Sequence, residues 1–118
     1  MKVQRVSALT IRVSDMARAI PFYSDVLGLE VLYGGEHASF SSLRAGNVNE
    51  VILNLEEGRP RTGWGRIIFY VQDVDEFHAH LKASGFSPPI PRNAEWGERF
   101  FHLEDPDGNE LSFAQPLH

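Results

Sequence analysis

The sequence contains no cysteine. That excludes disulfides, thiol nucleophiles and thiolate-bound metals, and leaves the cytoplasm as the expected compartment. No apolar run approaches the roughly 20 residues of a membrane-spanning helix. The opening stretch MKVQRVSALTIRV alternates apolar and polar residues. An export signal would instead carry a continuous apolar core, so secretion is not expected. Basic residues are in deficit: Lys and Arg total 11 against 16 Asp and Glu, for a formal net charge of −5. With no basic cluster, this argues against a nucleic acid or an anionic membrane as partner. What is present is an ordinary globular balance, 42% hydrophobic and 23% charged over 118 residues, long enough to bury a core.

The chain resembles itself. LTIRVSDMARAIPFYSDVLG at 9–28 is echoed by IIFYVQDVDEFHAHLKASG at 67–85, with Val13 and Asp15 matching Val71 and Asp73. FSSLRAGNVNEVILNLEE is echoed by FFHLEDPDGNELSFAQP. A single domain over 1–118 is expected, made of two modules at about 1–57 and 64–118 and joined by the polar stretch EGRPRTGWG (57–65). Two copies are too few for a solenoid, so the repeat reads as a pseudo-twofold pair.

Each module reads as βαβββ. Over Val6–Val13, Leu9, Ile11 and Val13 alternate with Ala8, Thr10 and Arg12, the pattern of a half-buried strand. Asp15 or Ser14 caps a helix running to about Leu27 and stopped by Gly28, with Phe22 and Tyr23 in the core. Pro21 falls inside this helix and should kink it or shift its start. Strands near 29–33, 38–43 and 50–56 follow, with a turn at RAGN. In the second module Ile67, Phe69 and Val71 alternate with Arg66, Ile68 and Tyr70, and Asp73 caps a helix to Ser84 stopped by Gly85. SPPIP reads as an irregular or edge segment. Strands near 98–104 and 110–115 flank DPDGN. The class is α+β, with helices on one side of an antiparallel-rich mixed sheet.

Three stretches, LTIRVSD at 9–15, FYSDVLGLEV at 22–31 and WGERFFHLEDPDGN at 96–109, carry a family resemblance. The order and motifs resemble the vicinal oxygen chelate superfamily, which holds glyoxalases, extradiol dioxygenases and bleomycin-resistance proteins. The last stretch is most similar to bleomycin-resistance-like members. The resemblance implies tandem modules forming a curved, cup-like sheet with helices on its convex side, a ligand on the concave face, and a homodimer. The fold serves enzymes and binding proteins alike, so function has to be argued from the site.

The family's metal enzymes place His or Glu at four concave positions. Counted onto this chain, those positions carry Ala8, Asn54, Arg66 and Ser112, although loop length leaves Glu50 or Glu56 open in place of Asn54. Ala8 offers no donor atom and Arg66 repels a cation. No metal or other cofactor is therefore expected, which disfavours metal-dependent lyase or dioxygenase chemistry.

The acidic run Asp105, Asp107 and Glu110 reads as turn chemistry rather than a carboxylate pair. Phe100 and His102 alternate with Phe101 and Leu103, so if the latter pair faces the helix, the former faces a pocket. Thr10, Arg12, Asn54, Arg66, Tyr70 and Ser112 share that predicted face with Ile52 and Ile68, and Trp96 edges it. Arg12 either meets a ligand or pairs with an internal acid such as Glu56. The named candidates for a general base are His102 and Glu56. His78 and His80 do not share a helix face and read as solvated surface. The expected function is metal-independent binding of a small aromatic or anionic molecule, of the sequestering or antibiotic-resistance type. The alternative is a glyoxalase-like lyase or isomerase with a non-standard site.

Overall fold

A computed structural model describes residues 1–46 and 51–118. The chain divides into two compact units, Met1–Arg61 and Thr62–His118, and the division falls inside the 57–65 stretch. Unit one runs β1 (Ala8–Val13), α1 (Met16–Ile20), a π-helical segment (Pro21–Val26), β2 (Glu30–Tyr33), β3 (Phe40–Arg44) and β4 (Ile52–Glu57). Unit two runs β5 (Arg66–Tyr70), α2 (Val74–Ala83), β6 (Arg92–Asn93), β7 (Glu98–Glu104) and β8 (Glu110–Pro116). The fold is α+β, built from tandem βαβββ modules. Each module carries its own open, four-stranded mixed sheet, ordered β1-β4-β3-β2 and β5-β8-β7-β6. The first and last strands of each module pair in parallel, β1 with β4 and β5 with β8, and the remaining pairs are antiparallel.

The two modules fix their helices to their sheets in the same way. Asp15 Oδ1 accepts from the Ala17 N–H, and Asp73 Oδ1 accepts from the Glu76 N–H. These caps satisfy N–H groups that a helix start would otherwise leave without partners. A side chain from the end of the closing strand supplies a further acceptor. Glu57 Oε2 accepts from the Met16 N–H at 3.0 Å, and Gln115 Oε1 accepts from the Val74 N–H at 2.6 Å. Gly28 and Gly85 end the helical runs at φ of 83° and 96°, a left-handed conformation that costs other residues steric strain.

Helix one differs from the expectation of one continuous α-helix to Leu27. The α-helix ends at Ile20, and a π-helical turn begins at Pro21. Proline has no N–H for the i→i−4 ladder, so the helix changes its bonding at that point. The Leu27 N–H reaches back five residues to the Phe22 carbonyl at 3.0 Å. Phe22 and Tyr23 are nevertheless buried, and their rings meet edge to face.

Several boundaries also shift. β1 starts at Ala8, since Val6 is exposed, and β3 starts at Phe40. A two-residue strand, β6, follows SPPIP, where the sequence suggested only an irregular or edge segment. His78 is half-buried: its Nε2 lies 3.1 Å from the Pro88 carbonyl and its ring meets Phe101 edge-on. The apolar ring edge of Phe101 and the irregular Pro88 segment draw His78 out of the solvent position assigned to it. Asn47 of the RAGN turn and Glu50 lie outside the described residues.

The helix-facing side of each sheet carries its core. In unit one Ile11, Val13, Leu43 and Leu55 of the sheet are buried, as are Met16 and Tyr23 of the helical segment. In unit two Phe113 packs against Phe69, Phe77 and Phe101 at ring separations of 5.7, 4.9 and 5.3 Å. The alternation of β1, β4, β7 and β8 then places every other residue on the opposite face.

Candidate functional site

That opposite face is where the expected site residues fall, and the modules use it differently. In unit one, strand register sets Thr10 beside Asn54 and Asn54 beside Ser42. Asn54 Nδ2 donates to Thr10 Oγ1 at 3.3 Å, and Ser42 Oγ donates to Asn54 Oδ1 at 2.7 Å. Arg12 forms an ion pair with Glu56, Nε to Oε1 at 3.5 Å. This is the internal acid named as a partner for Arg12. Both side chains are largely solvated, so the pair contributes little to stability. Glu56, named as a candidate base, is the partner in that pair.

In unit two the matching register positions carry different chemistry. Ile68 stands beside Ser112 and Ser112 beside His102, while Phe100 stands beside Ala114. A groove of about 350 Å³ opens over this face, lined in part by Arg66, Ile68, Trp96, Phe100, His102 and Ser112. It brings together five of the expected residues: Arg66, Trp96, Phe100, His102 and Ser112. Tyr70 joins through a hydrogen bond from its hydroxyl to Glu98 Oε2, and this bond raises the Tyr70 pKa.

Trp96 is 71% exposed, yet it is held in place. Its indole N–H donates to Glu98 Oε1 at 2.7 Å, and its ring stacks on Phe100 with centroids 5.8 Å apart and planes 27° from parallel. Arg92 covers Phe100 from β6, its guanidinium carbon 5.0 Å from the ring centroid, a cation–π arrangement. Glu98 thus ties Tyr70 and Trp96 together, and Trp96 and Arg92 both pack on Phe100. Ile68 adds an apolar wall that is 59% exposed.

His102 sits among cations. Arg66 Nη1 lies 2.7 Å from its Nε2 and 2.9 Å from its Nδ1, and Ser112 Oγ lies 2.7 Å from Nδ1. A guanidinium can only donate. We therefore assign the neutral tautomer in which Nε2 accepts from Arg66 and Nδ1–H donates to Ser112. Burial, then Arg66, then Arg92 lower the His102 pKa, with Glu110 opposing. All three favour the uncharged ring.

The acidic run is a turn. Asp105 Oδ1 accepts from the N–H groups of Asp107 and Asn109, both at 2.8 Å, and Oδ2 accepts from Asn109 Nδ2 at 2.9 Å. Its carboxylate is used to shape the β7–β8 connection.

A model of the Glyoxalase/Bleomycin resistance protein/Dioxygenase superfamily matches residues 5–113. The chain belongs to this superfamily. A bleomycin resistance protein of Geobacillus stearothermophilus is 29% identical over 137 aligned positions, covering 98% of each chain. The metallothiol transferase FosB of Staphylococcus epidermidis is 27% identical, covering 92% of this chain and 81% of its own. The crystal structure of TnmS3, an antibiotic binding protein from Streptomyces sp. CB03234, superposes with a TM-score of 0.80 at 28% identity over 98% of each chain. The superfamily thus includes both binding proteins and enzymes.

The positions where superfamily enzymes would hold a metal do not fit one here. Ala8 presents a methyl group and Arg66 a cation. The Asn54 amide is engaged by Ser42 and Thr10, and the Ser112 hydroxyl by His102. Among the described residues no three His, Asp or Glu side chains converge as ligands. The described helices include none long and apolar enough to cross a membrane.

Three groove residues escaped the sequence reading, Arg92, Glu98 and Ala114. Arg92 follows SPPIP in a strand too short to show alternation. Glu98 does alternate with Phe100 and His102, so its facing was legible, although its bridge to Tyr70 and Trp96 was not.

Proposed function

We propose that the protein binds a small aromatic molecule in the unit-two groove, without a metal, as a sequestering or resistance-type member of the superfamily. One observation carries this reading: an exposed tryptophan, fixed by Glu98 and stacked on Phe100, at the rim of a groove of about 350 Å³. Exposed aromatic surface held rigid in this way supplies contact area at little entropic cost on binding. The names of the relatives, bleomycin resistance protein and antibiotic binding protein, support the same role. The family model spans both modules, so we treat them as one functional domain. We further propose a cytoplasmic homodimer. Sedimentation should then give a mass near twice 13.3 kDa, whereas a single-chain mass contradicts the dimer.

The test is a thermal-shift screen of bleomycin and a panel of planar aromatic compounds, repeated on Trp96→Ala. Hits should raise Tm in the parent and lose most of that shift in the variant. Hits that stabilise Trp96→Ala equally would contradict the assignment. Elemental analysis of dialysed protein should find no stoichiometric transition metal.

One feature favours a second reading, a glyoxalase-like lyase or isomerase: an imidazole faces the groove, its pKa held below the ordinary value by burial and the two arginines, and could accept a proton. Its Nε2 is engaged by Arg66 and its Nδ1 by Ser112, which weighs toward a binding role. Turnover abolished by His102→Gln would reverse that weighting.

A further inference from the structure

We propose, resting on the binding role above, that the groove selects an aromatic anion, a flat ring bearing a carboxylate or similar oxyanion. Five arginines lie on strands: Arg12, Arg44, Arg66, Arg92 and Arg99. Three of them pair with acids. Arg12 meets Glu56, Arg44 meets Glu30 at 3.1 Å, and Arg99 meets Asp75 through two nitrogens at 3.0 Å each. Arg66 and Arg92 form no ion pair among the described residues, and these are the two that line the groove. Arg66 stands beside Glu110 in strand register without forming an ion pair with it.

The one carboxylate lining the groove is already engaged. Glu98 accepts from the Tyr70 hydroxyl on one oxygen and from the Trp96 indole on the other. His102 Nδ1 lies 2.7 Å from Ser112 Oγ, and in the neutral tautomer assigned above the ring adds no charge. The groove therefore carries two cations and one hydrogen-bonded anion, a local excess of positive charge on a chain whose net charge is −5. Guanidinium groups present a fork of donors that matches a carboxylate. Trp96 and Ile68 offer exposed apolar surface beside them, where a ring can lie while its charged substituent reaches an arginine. This chemistry disfavours a cationic ligand, which would meet Arg66 and Arg92 directly.

Three probes with one ring and different charge decide the matter: 2-naphthoate, 2-naphthalenemethanol and 2-naphthylmethylammonium, titrated by calorimetry into the full chain. Affinity should fall in that order, with naphthoate about tenfold tighter than the alcohol at low salt, and the gap should narrow as salt screens the charges. In Arg66→Gln/Arg92→Gln the ratio of the two affinities should collapse to near one. Arg92→Lys, which keeps the charge and loses the fork, should retain part of it. Circular dichroism and melting curves establish that the variants fold. An ammonium probe that binds as well as naphthoate overturns the anion selectivity and leaves the binding role standing. A carboxylate preference that survives loss of both arginines overturns its assignment to Arg66 and Arg92. If none of the three probes binds and none shifts Tm, the binding role falls and the selectivity falls with it.

Discussion

The two modules share a backbone plan and differ in what they place on the face opposite the helix. Register makes Thr10, Asn54 and Ser42 the counterparts of Ile68, Ser112 and His102. In module one those side chains bond to one another, and Arg12 is neutralised by Glu56. In module two an apolar wall, an aromatic platform and two cations without acid partners occupy the equivalent surface. The comparison separates scaffold from site. Features the modules hold in common, such as the Asp caps and the closing-strand acceptors Glu57 and Gln115, serve the fold. Features held by module two alone are where we propose the ligand role lies.

The cores differ too, and that gives the largest expected effect. Phe113 and Leu55 are buried counterparts on the closing strands, but Phe113 is the centre of a four-ring cluster while Leu55 packs in a mainly aliphatic layer. Phe113→Ala should cost about 3–5 kcal/mol and Leu55→Ala about 2–5 kcal/mol in urea unfolding. A loss below about 1 kcal/mol at Phe113 would mean that the cluster can refill the cavity. Next comes Asp105→Ala, which strips acceptors from the part-buried Asp107 N–H, the buried Asn109 N–H and the Asn109 amide. It should cost about 1–3 kcal/mol, while the Trp96-dependent ligand shift survives, because the acids form a turn. Loss of binding without loss of stability would return the acidic run to the site.

The smallest effect is a pH slope that module two should show at His102 and module one, with Ser42 at the matching position, should not. The folded pKa of His102 lies below its ordinary value near 6.5. As pH falls through 6.5 the unfolded chain takes up this proton first, so stability declines toward the folded pKa and is full above 6.5. His102→Gln should flatten that part of the profile. An unchanged slope would mean that other groups produce it.

Much of this was legible in the sequence because alternation and capping are local. Leu9, Ile11 and Val13 against Thr10 and Arg12 gave the facing of β1, and Asp15 and Asp73 marked the helix starts. Phe101 buried beneath Phe100 and His102 followed from the same period of two. The π-helical turn was not legible in form: Pro21 signals that the helix must change but not how its carbonyls find new donors. Arg92 was missed because a two-residue strand after a proline-rich segment carries no period. Glu56 was named as one partner for Arg12, but that the two stand side by side depends on strand register, which a single strand's pattern does not contain. The clamp by Glu98 joins residues 70, 96 and 98 and exists only once β5 and β7 share a sheet.

The most direct test of the claim that module two holds the ligand is a ¹⁵N-correlated NMR titration with 2-naphthoate. The account predicts that the Trp96 indole N–H and the amides of Phe100 and His102 shift first and furthest, saturating together. Saturating shifts that leave Trp96 unmoved and centre on Thr10 or Asn54 would contradict it.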